Sequence, residues 1–160
     1  MANDKRTGEK LIASHPLASS DYLITEVVEA GLVLTGTEVK SLRDQSPSLR
    51  DSFVEVSRKA SGFEAWLLNT HISPYSHGTA WNHEPLRKRK LLLHRHQLDK
   101  LYGEIIQKGM SVIPLRLYFK KGRVKVELGL GKGKKKFDKR ETLKRKTAER
   151  EISLAIKRAL

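Results

Sequence analysis

Two dense cationic runs are the residues of this chain best suited to chemistry with a partner. Arg87-Lys88-Arg89-Lys90 stands directly ahead of the apolar run Leu91-Leu92-Leu93. Cations at this density grip phosphates, because each phosphate they neutralise releases counterions. The leucines would anchor them to a core. An ordinary solvated basic turn leading into a core element accounts for the same residues. The second run, Lys132 to Lys146, holds nine Lys+Arg against two acids, half of the net charge of +14. A weakly basic body followed by a strongly basic segment fits a polyanion, either nucleic acid or an anionic membrane surface.

Catalytic and metal chemistry find less support. The six histidines include His94 and His96, whose i,i+2 spacing makes a poor helical chelate. His71, His77 and His83 lie around a loop without the HExxH spacing of a metalloprotease. There is no cysteine, so thiolate ligands, disulfides and thiol nucleophiles are excluded. The glycines of Gly129 to Lys134 (GLGKGK) lack both the spacing and the Ser/Thr of a Walker loop. No nucleophile elbow is present. The expectation is no catalytic residue, no metal and no cofactor. A polar N-terminus and the absence of an 18-residue apolar window point to a cytoplasmic protein with no membrane span.

The elements that must position these groups read as mainly β. Asp21 to Glu29 alternates in part, and Ala30-Gly31 reads as a hairpin turn into Leu32 to Leu34. Thr37 to Arg43 predicts a short helix capped by Thr35 or Thr37. Ser52 to Ser57 and Phe63 to Ile72 predict strands either side of Gly62, followed by a loop from Ser73 to Leu86. Leu98, Leu101, Tyr102, Ile105 and Ile106 form the stripe of a helix stopped at Gly109. Val112 to Phe119 and Val124 to Leu130 predict a hairpin across Lys120-Lys121-Gly122. About six short strands with local links favour an antiparallel barrel or sandwich, and a barrel that binds oligonucleotides on one face is a natural candidate.

Residues 1–10 are expected to be flexible, 11–131 to form the domain, and 132–160 to form a basic tail. Gly129 to Lys136 cannot bury surface and should be mobile. Beyond it, Asp138 to Glu141 has a capping-box pattern, and Ala148, Ile152, Ala155, Ile156 and Ala159 fall on one arc of a helix about 100° wide. Leu143 and Leu154 fall opposite. A tail disordered alone and helical on a partner is expected. Its thin, Ala-rich stripe ranks RNA ahead of a membrane or a calmodulin-like acceptor.

Several segments together resemble the SsrA-binding protein family: Glu29 to Arg43 (EAGLVLTGTEVKSLR), His71 to Tyr75 (HISPY), Arg89 to His94 (RKLLLH), Tyr118 to Lys120 (YFK), and Gly131 to Lys135 (GKGKK) with Asp138 to Arg140 (DKR). The resemblance runs in order from about Leu11 to the end. It implies an oligonucleotide-binding-like antiparallel β-barrel with flanking helices and a basic C-terminal tail. It further implies an RNA-binding adaptor of trans-translation, which binds the tRNA-like domain of transfer-messenger RNA and delivers it to stalled ribosomes. The tail would then probe the decoding centre and the empty mRNA channel. A general RNA- or ribosome-binding structural protein is the alternative, and a monomer in solution is expected.

Carried over, Glu29, Lys40, Arg43, Leu92 and Lys125 match RNA-binding positions of the family, joined by Arg89 and Lys90 from the basic run. Lys132, Gly133, Lys134, Lys135, Phe137, Asp138, Lys139 and Arg140 match the tail region near the decoding centre, and Lys144 and Arg145 would add phosphate contacts. A planar ring at Phe137 could stack on a base. The segment Ser14 to Ser20 departs from the family pattern by lacking Lys and Arg, which puts its RNA contacts in doubt, although His15 could still hydrogen-bond.

Overall fold

The computed structural model describes residues 8–78 and 80–159, without the side chains of Lys136 and Phe137. Seven strands form one antiparallel sheet: β1 (Glu9–Ser14), β2 (Tyr22–Leu32), β3 (Phe53–Lys59), β4 (Gly62–Leu68), β5 (Arg89–Leu92), β6 (Ser111–Lys120) and β7 (Arg123–Gly133). Their order across the sheet is β1-β6-β7-β2-β5-β4-β3. Four helices are described: α1 (Ala18–Asp21), α2 (Gly36–Asp44), α3 (Arg95–Lys108) and α4 (Lys136–Ala159).

The strands follow from side-chain alternation. Val124, Val126, Leu128 and Leu130 of β7 are all buried, the period of two that one covered sheet face requires. They join Ala65 and Leu67 of β4, Leu91 of β5, Val112 and Leu117 of β6, and Leu101 of α3 in one core. The start of α2 and the end of α3 were also readable. The Thr35 N–H donates to Glu38 Oε2 at 2.8 Å, which starts α2. The His94 N–H donates to Gln97 Oε1 at 3.0 Å and starts α3, which Gly109 ends at φ 62°.

Two expectations are corrected, and a third is met only in part. The chain does not turn at Ala30-Gly31: β2 runs through to Leu32, with Gly31 opposite Lys125 on one side and Leu92 on the other. Gly31 leaves room for a neighbour, since a Cβ there would lie 3.3 Å from the Leu92 Cβ. Gly129 and Gly131 belong to buried β7 and not to a mobile boundary. A Cβ on Gly131 would come within 2.9 Å of the Leu23 carbonyl carbon, and one on Gly129 within 2.9 Å of Leu115 Cδ2, so the glycines permit close packing. The sheet, finally, does not close into a barrel. β1 pairs only with β6, and β3 only with β4, so both remain edges among the described residues. The sheet nevertheless curls, bringing β3 within 8 Å of β6.

The structure adds β1 and α1. β1 begins at Glu9, inside the stretch expected to fray, and pairs with β6 from Glu9 opposite Lys120 to Ser14 opposite Arg116. Of the expected flexible N-terminus, residues 1–7 lie outside the described residues.

Candidate nucleic-acid interface

A buried ion cluster organises the basic run. Glu38 of α2 and Arg89 of β5 are both 0 % exposed. Arg89 Nε donates to Glu38 Oε1 at 2.8 Å, and its Nη1 and Nη2 donate to the carbonyls of Thr70 (2.7 Å) and Pro85 (3.1 Å). Arg87 adds a bidentate pair, Nε to Oε1 at 3.0 Å and Nη2 to Oε2 at 2.8 Å. Burial alone would raise the Glu38 carboxyl. The Arg87 and Thr35 hydrogen bonds and the Arg89 charge outweigh it and hold the pKa at about 2. Arg89 therefore does not present its charge to a phosphate. This corrects its expected place among the RNA-binding residues; the cations of this run left at the surface are Lys88, Lys90 and the partly exposed Arg87.

Four of the predicted residues converge. Glu29, Lys90, Leu92 and Lys125 line one cleft between β2, β5 and β7, with Gly31, Phe63 and Leu98. Leu92 and Lys125 also line an adjoining groove with Leu34, Val39 and Arg123, so they stand where the two meet. Leu92 is 54 % exposed despite its apolar character. Lys90 stays half exposed with Glu64 at 3.4 Å. Glu29 accepts a short hydrogen bond from Tyr118 Oη and one from Lys120 Nζ at 3.2 Å. The Tyr118 hydroxyl is the largest influence on the Glu29 carboxyl; with Lys120 and the charge of Lys125 it outweighs the upward pull of burial and keeps it ionised below the ordinary range. Burial, then the bond to Glu29, raises the Tyr118 hydroxyl far above its usual value.

Lys40 and Arg43 lie on the exposed side of α2, each over a ring: Lys40 Nζ is 5.7 Å from the Tyr75 centroid and the Arg43 guanidinium 5.8 Å from Phe119. The loop histidines divide. His83 is buried, its ring bridging Thr37 Oγ1 (2.9 Å) and the Ile72 carbonyl (3.0 Å), whereas His77 stays exposed. His15 accepts the Leu17 N–H at 3.1 Å, and burial lowers its pKa, so its hydrogen bond is internal.

The predicted tail residues sit around the base of α4. Lys132 and Gly133 end β7, exposed, and Lys135 is exposed beyond them. Lys134 is tied back: its N–H donates to the Asp21 carbonyl (2.7 Å), and its Nζ to the Ser19 carbonyl and Thr142 Oγ1 (both 3.0 Å). Lys139 Nζ lies 3.7 Å from Asp21. Asp138, Arg140 and Lys144 face solvent, and Arg145 pairs with Glu149 at 3.8 Å. The Phe137 side chain lies outside the described residues. Ile152 and Ile156 of the apolar arc are 60 % and 58 % exposed, and Leu154 on the opposite side is 47 % exposed, so neither side of α4 is covered by the described residues.

Sequence reasoning missed Tyr118 and Lys120 as partners of Glu29, and Ser19 and Asp21 as anchors of the tail. Separations of 89 to 127 residues hide such pairs from any local pattern. Among the described residues no three His, Asp or Glu side chains are grouped to hold a metal ion, and no helix is long and apolar enough to cross a membrane.

A family model described as SmpB protein matches residues 12–158. The chain is 57 % identical over 150 residues to the SsrA-binding protein of Pelobacter propionicus, covering 94 % of this chain and 96 % of that one. It is 53 % identical over 148 residues to the SsrA-binding protein of Geobacillus thermodenitrificans, covering 92 % and 93 %. Its fold matches a solved chain described as "tmRNA-SmpB: a journey to the center of the bacterial ribosome" at TM-score 0.64 and 43 % identity, covering 84 % of this chain and 95 % of that one.

Proposed function

The chain belongs to the SmpB protein family, and from that premise we propose that it is the RNA-binding adaptor of trans-translation, which binds transfer-messenger RNA and acts with it on the ribosome. The observation that carries this reading is the convergence of Glu29, Lys90, Leu92 and Lys125 on one cleft of the body. Lys125 and Lys90 supply phosphate contacts, while exposed Leu92 offers an apolar surface to a sugar or base. Glu29, ionised at neutral pH, accepts hydrogen bonds from a base edge or a 2′-hydroxyl. Lys40 and Arg43 extend the cationic surface along α2. Arg89 acts from inside, holding α2 and β5 together beneath these groups.

In this reading residues 11–131 engage the tRNA-like domain, and residues 132–160 are directed to the decoding centre and the mRNA channel. Support for the division comes from α4, whose 24 residues span roughly 36 Å at 1.5 Å each. They carry cations and an apolar arc that none of the described residues covers. We read the curled sheet as an open form of the oligonucleotide-binding barrel, supported by the approach of β3 to β6. The reading assigns binding and not catalysis, and places the protein in the cytoplasm as a monomer.

The test is binding of transfer-messenger RNA against a bulk tRNA competitor at fixed salt. A clear preference for transfer-messenger RNA is expected. Equal affinities would return the chain to the general RNA-binding reading.

A further inference from the structure

Trp81 is 91 % exposed, more than any other large apolar side chain among the described residues. It stands in the connection between β4 and β5, and that connection is firmly held. Ser41 Oγ of α2 donates to the Ser73 carbonyl at 2.6 Å, and the Ile72 N–H to the Pro85 carbonyl at 3.0 Å. Buried His83 bridges Thr37 and Ile72. Asn82, next to Trp81, clasps Tyr75 twice: its Oδ1 accepts the Tyr75 N–H (3.1 Å) and its Nδ2 donates to the Tyr75 carbonyl (2.8 Å). The clasp needs Gly78, where a Cβ would run into the Asn82 amide and to within 2.9 Å of the Tyr75 carbonyl oxygen.

A flexible loop could fold a tryptophan onto the core and cover it. Here hydrogen bonds hold the described backbone on both sides of Trp81 while the indole stands in water, an arrangement that lowers the ordering cost of a later contact. The side chains of the loop and its flanks decide the kind of contact. Lys40 lies over Tyr75 at 5.7 Å, Tyr75 and His77 meet edge to face at 5.6 Å, and Lys88 lies over Trp66 at 5.0 Å where the loop ends. Aromatic rings interleaved with cations match a nucleotide, whose base has a π face and whose phosphate needs a positive neighbour. A protein-docking surface would instead ring the tryptophan with apolar groups.

We propose that residues 73–78 and 80–86 form a pre-organised stacking arm, with Trp81 taking an unpaired nucleobase of transfer-messenger RNA. The proposal rests on the functional reading above and adds a contact outside the Glu29 cleft.

The test uses the full chain and transfer-messenger RNA, with ribosomes as a separate arm. Trp81→Ala should weaken RNA binding about 5- to 150-fold, the range that one stacked base is worth, while Trp81→Phe keeps most of the affinity. The salt slope should stay unchanged for both, since no phosphate contact is removed. RNA should quench the indole fluorescence of the wild type, and that quenching should be lost in Trp81→Phe, which retains Trp66. Gly78→Ala should also weaken binding with the indole in place, because the clasp is broken. Wild-type RNA affinity and unchanged quenching in the Trp81 variants would overturn the proposal. So would a Trp81→Ala defect confined to ribosome association, which would assign the arm to a ribosomal partner. A wild type with no preference over bulk tRNA would sink the functional reading and this proposal together; a retained preference with an inert Trp81 sinks the proposal alone.

Discussion

Replacing Glu38 with Gln tests whether the interior ion cluster holds the RNA-facing elements in place. The substitution keeps the shape but removes the charge that Arg87 and Arg89 share, leaving buried Arg89 without its counterion. The carboxyl falls from an ordinary 4.5 to about 2 in the folded chain. At ~1.4 kcal/mol per pH unit that corresponds to ~3 kcal/mol of stability. Breaking a buried pair by removing one partner costs about 3–5 kcal/mol by an independent route, so the two magnitudes agree. For a chain of this size the melting temperature should fall by ~10 °C. Because the folded pKa is depressed, the contribution is complete above about 4.5 and is lost as pH falls toward 2. Urea denaturation of wild type and Glu38→Gln at pH 7, 5 and 3 should therefore show a gap near ~3 kcal/mol at the first two and a narrower one at pH 3. A gap below ~1 kcal/mol at pH 7, or one undiminished at pH 3, would refute the reasoning. Arg89→Lys belongs to the same experiment, since a lysine cannot reproduce three donors to Glu38, Thr70 and Pro85. It should destabilise the fold, while the folded fraction binds RNA with near wild-type affinity.

Lys125→Ala should weaken transfer-messenger RNA binding and reduce the salt slope by about 1, whereas Leu92→Ala should weaken binding at an unchanged slope; both are read from titrations at several salt concentrations. Ending the chain at Gly133 should leave body-mediated RNA binding largely intact and abolish the joint action with transfer-messenger RNA on stalled ribosomes, and lost RNA binding would mean that the tail is the main grip. Tyr118→Phe should move the Glu29 carboxyl up toward its ordinary value, because the phenol hydrogen bond is its largest influence; side-chain NMR titration measures it. Asp21→Ala should speed amide exchange in the first turns of α4, which lose the Lys139 ion pair.

By itself the sequence determined whatever is settled within one element or one turn. The stripe Leu98 to Ile106 with its stop at Gly109, the cap of α2 at Thr35, the β6–β7 hairpin and the cationic tail all rest on neighbours a few residues apart. Periodicity and capping report those interactions directly. Only the tertiary structure decided what depends on distant pairing. β1 exists because Glu9 to Ser14 finds Arg116 to Lys120, and its own alternation is too weak to announce it. Gly31 looks like a turn in the sequence and Gly131 like part of a mobile boundary, and both are sites of close strand packing in the fold. The run Arg87 to Lys90 reads as four equivalent cations. The fold turns one of them inward to a glutamate 51 residues away, because α2 places a buried carboxylate there. Charge fits a polyanion partner. Which cations face it is settled by which of them the core has already claimed.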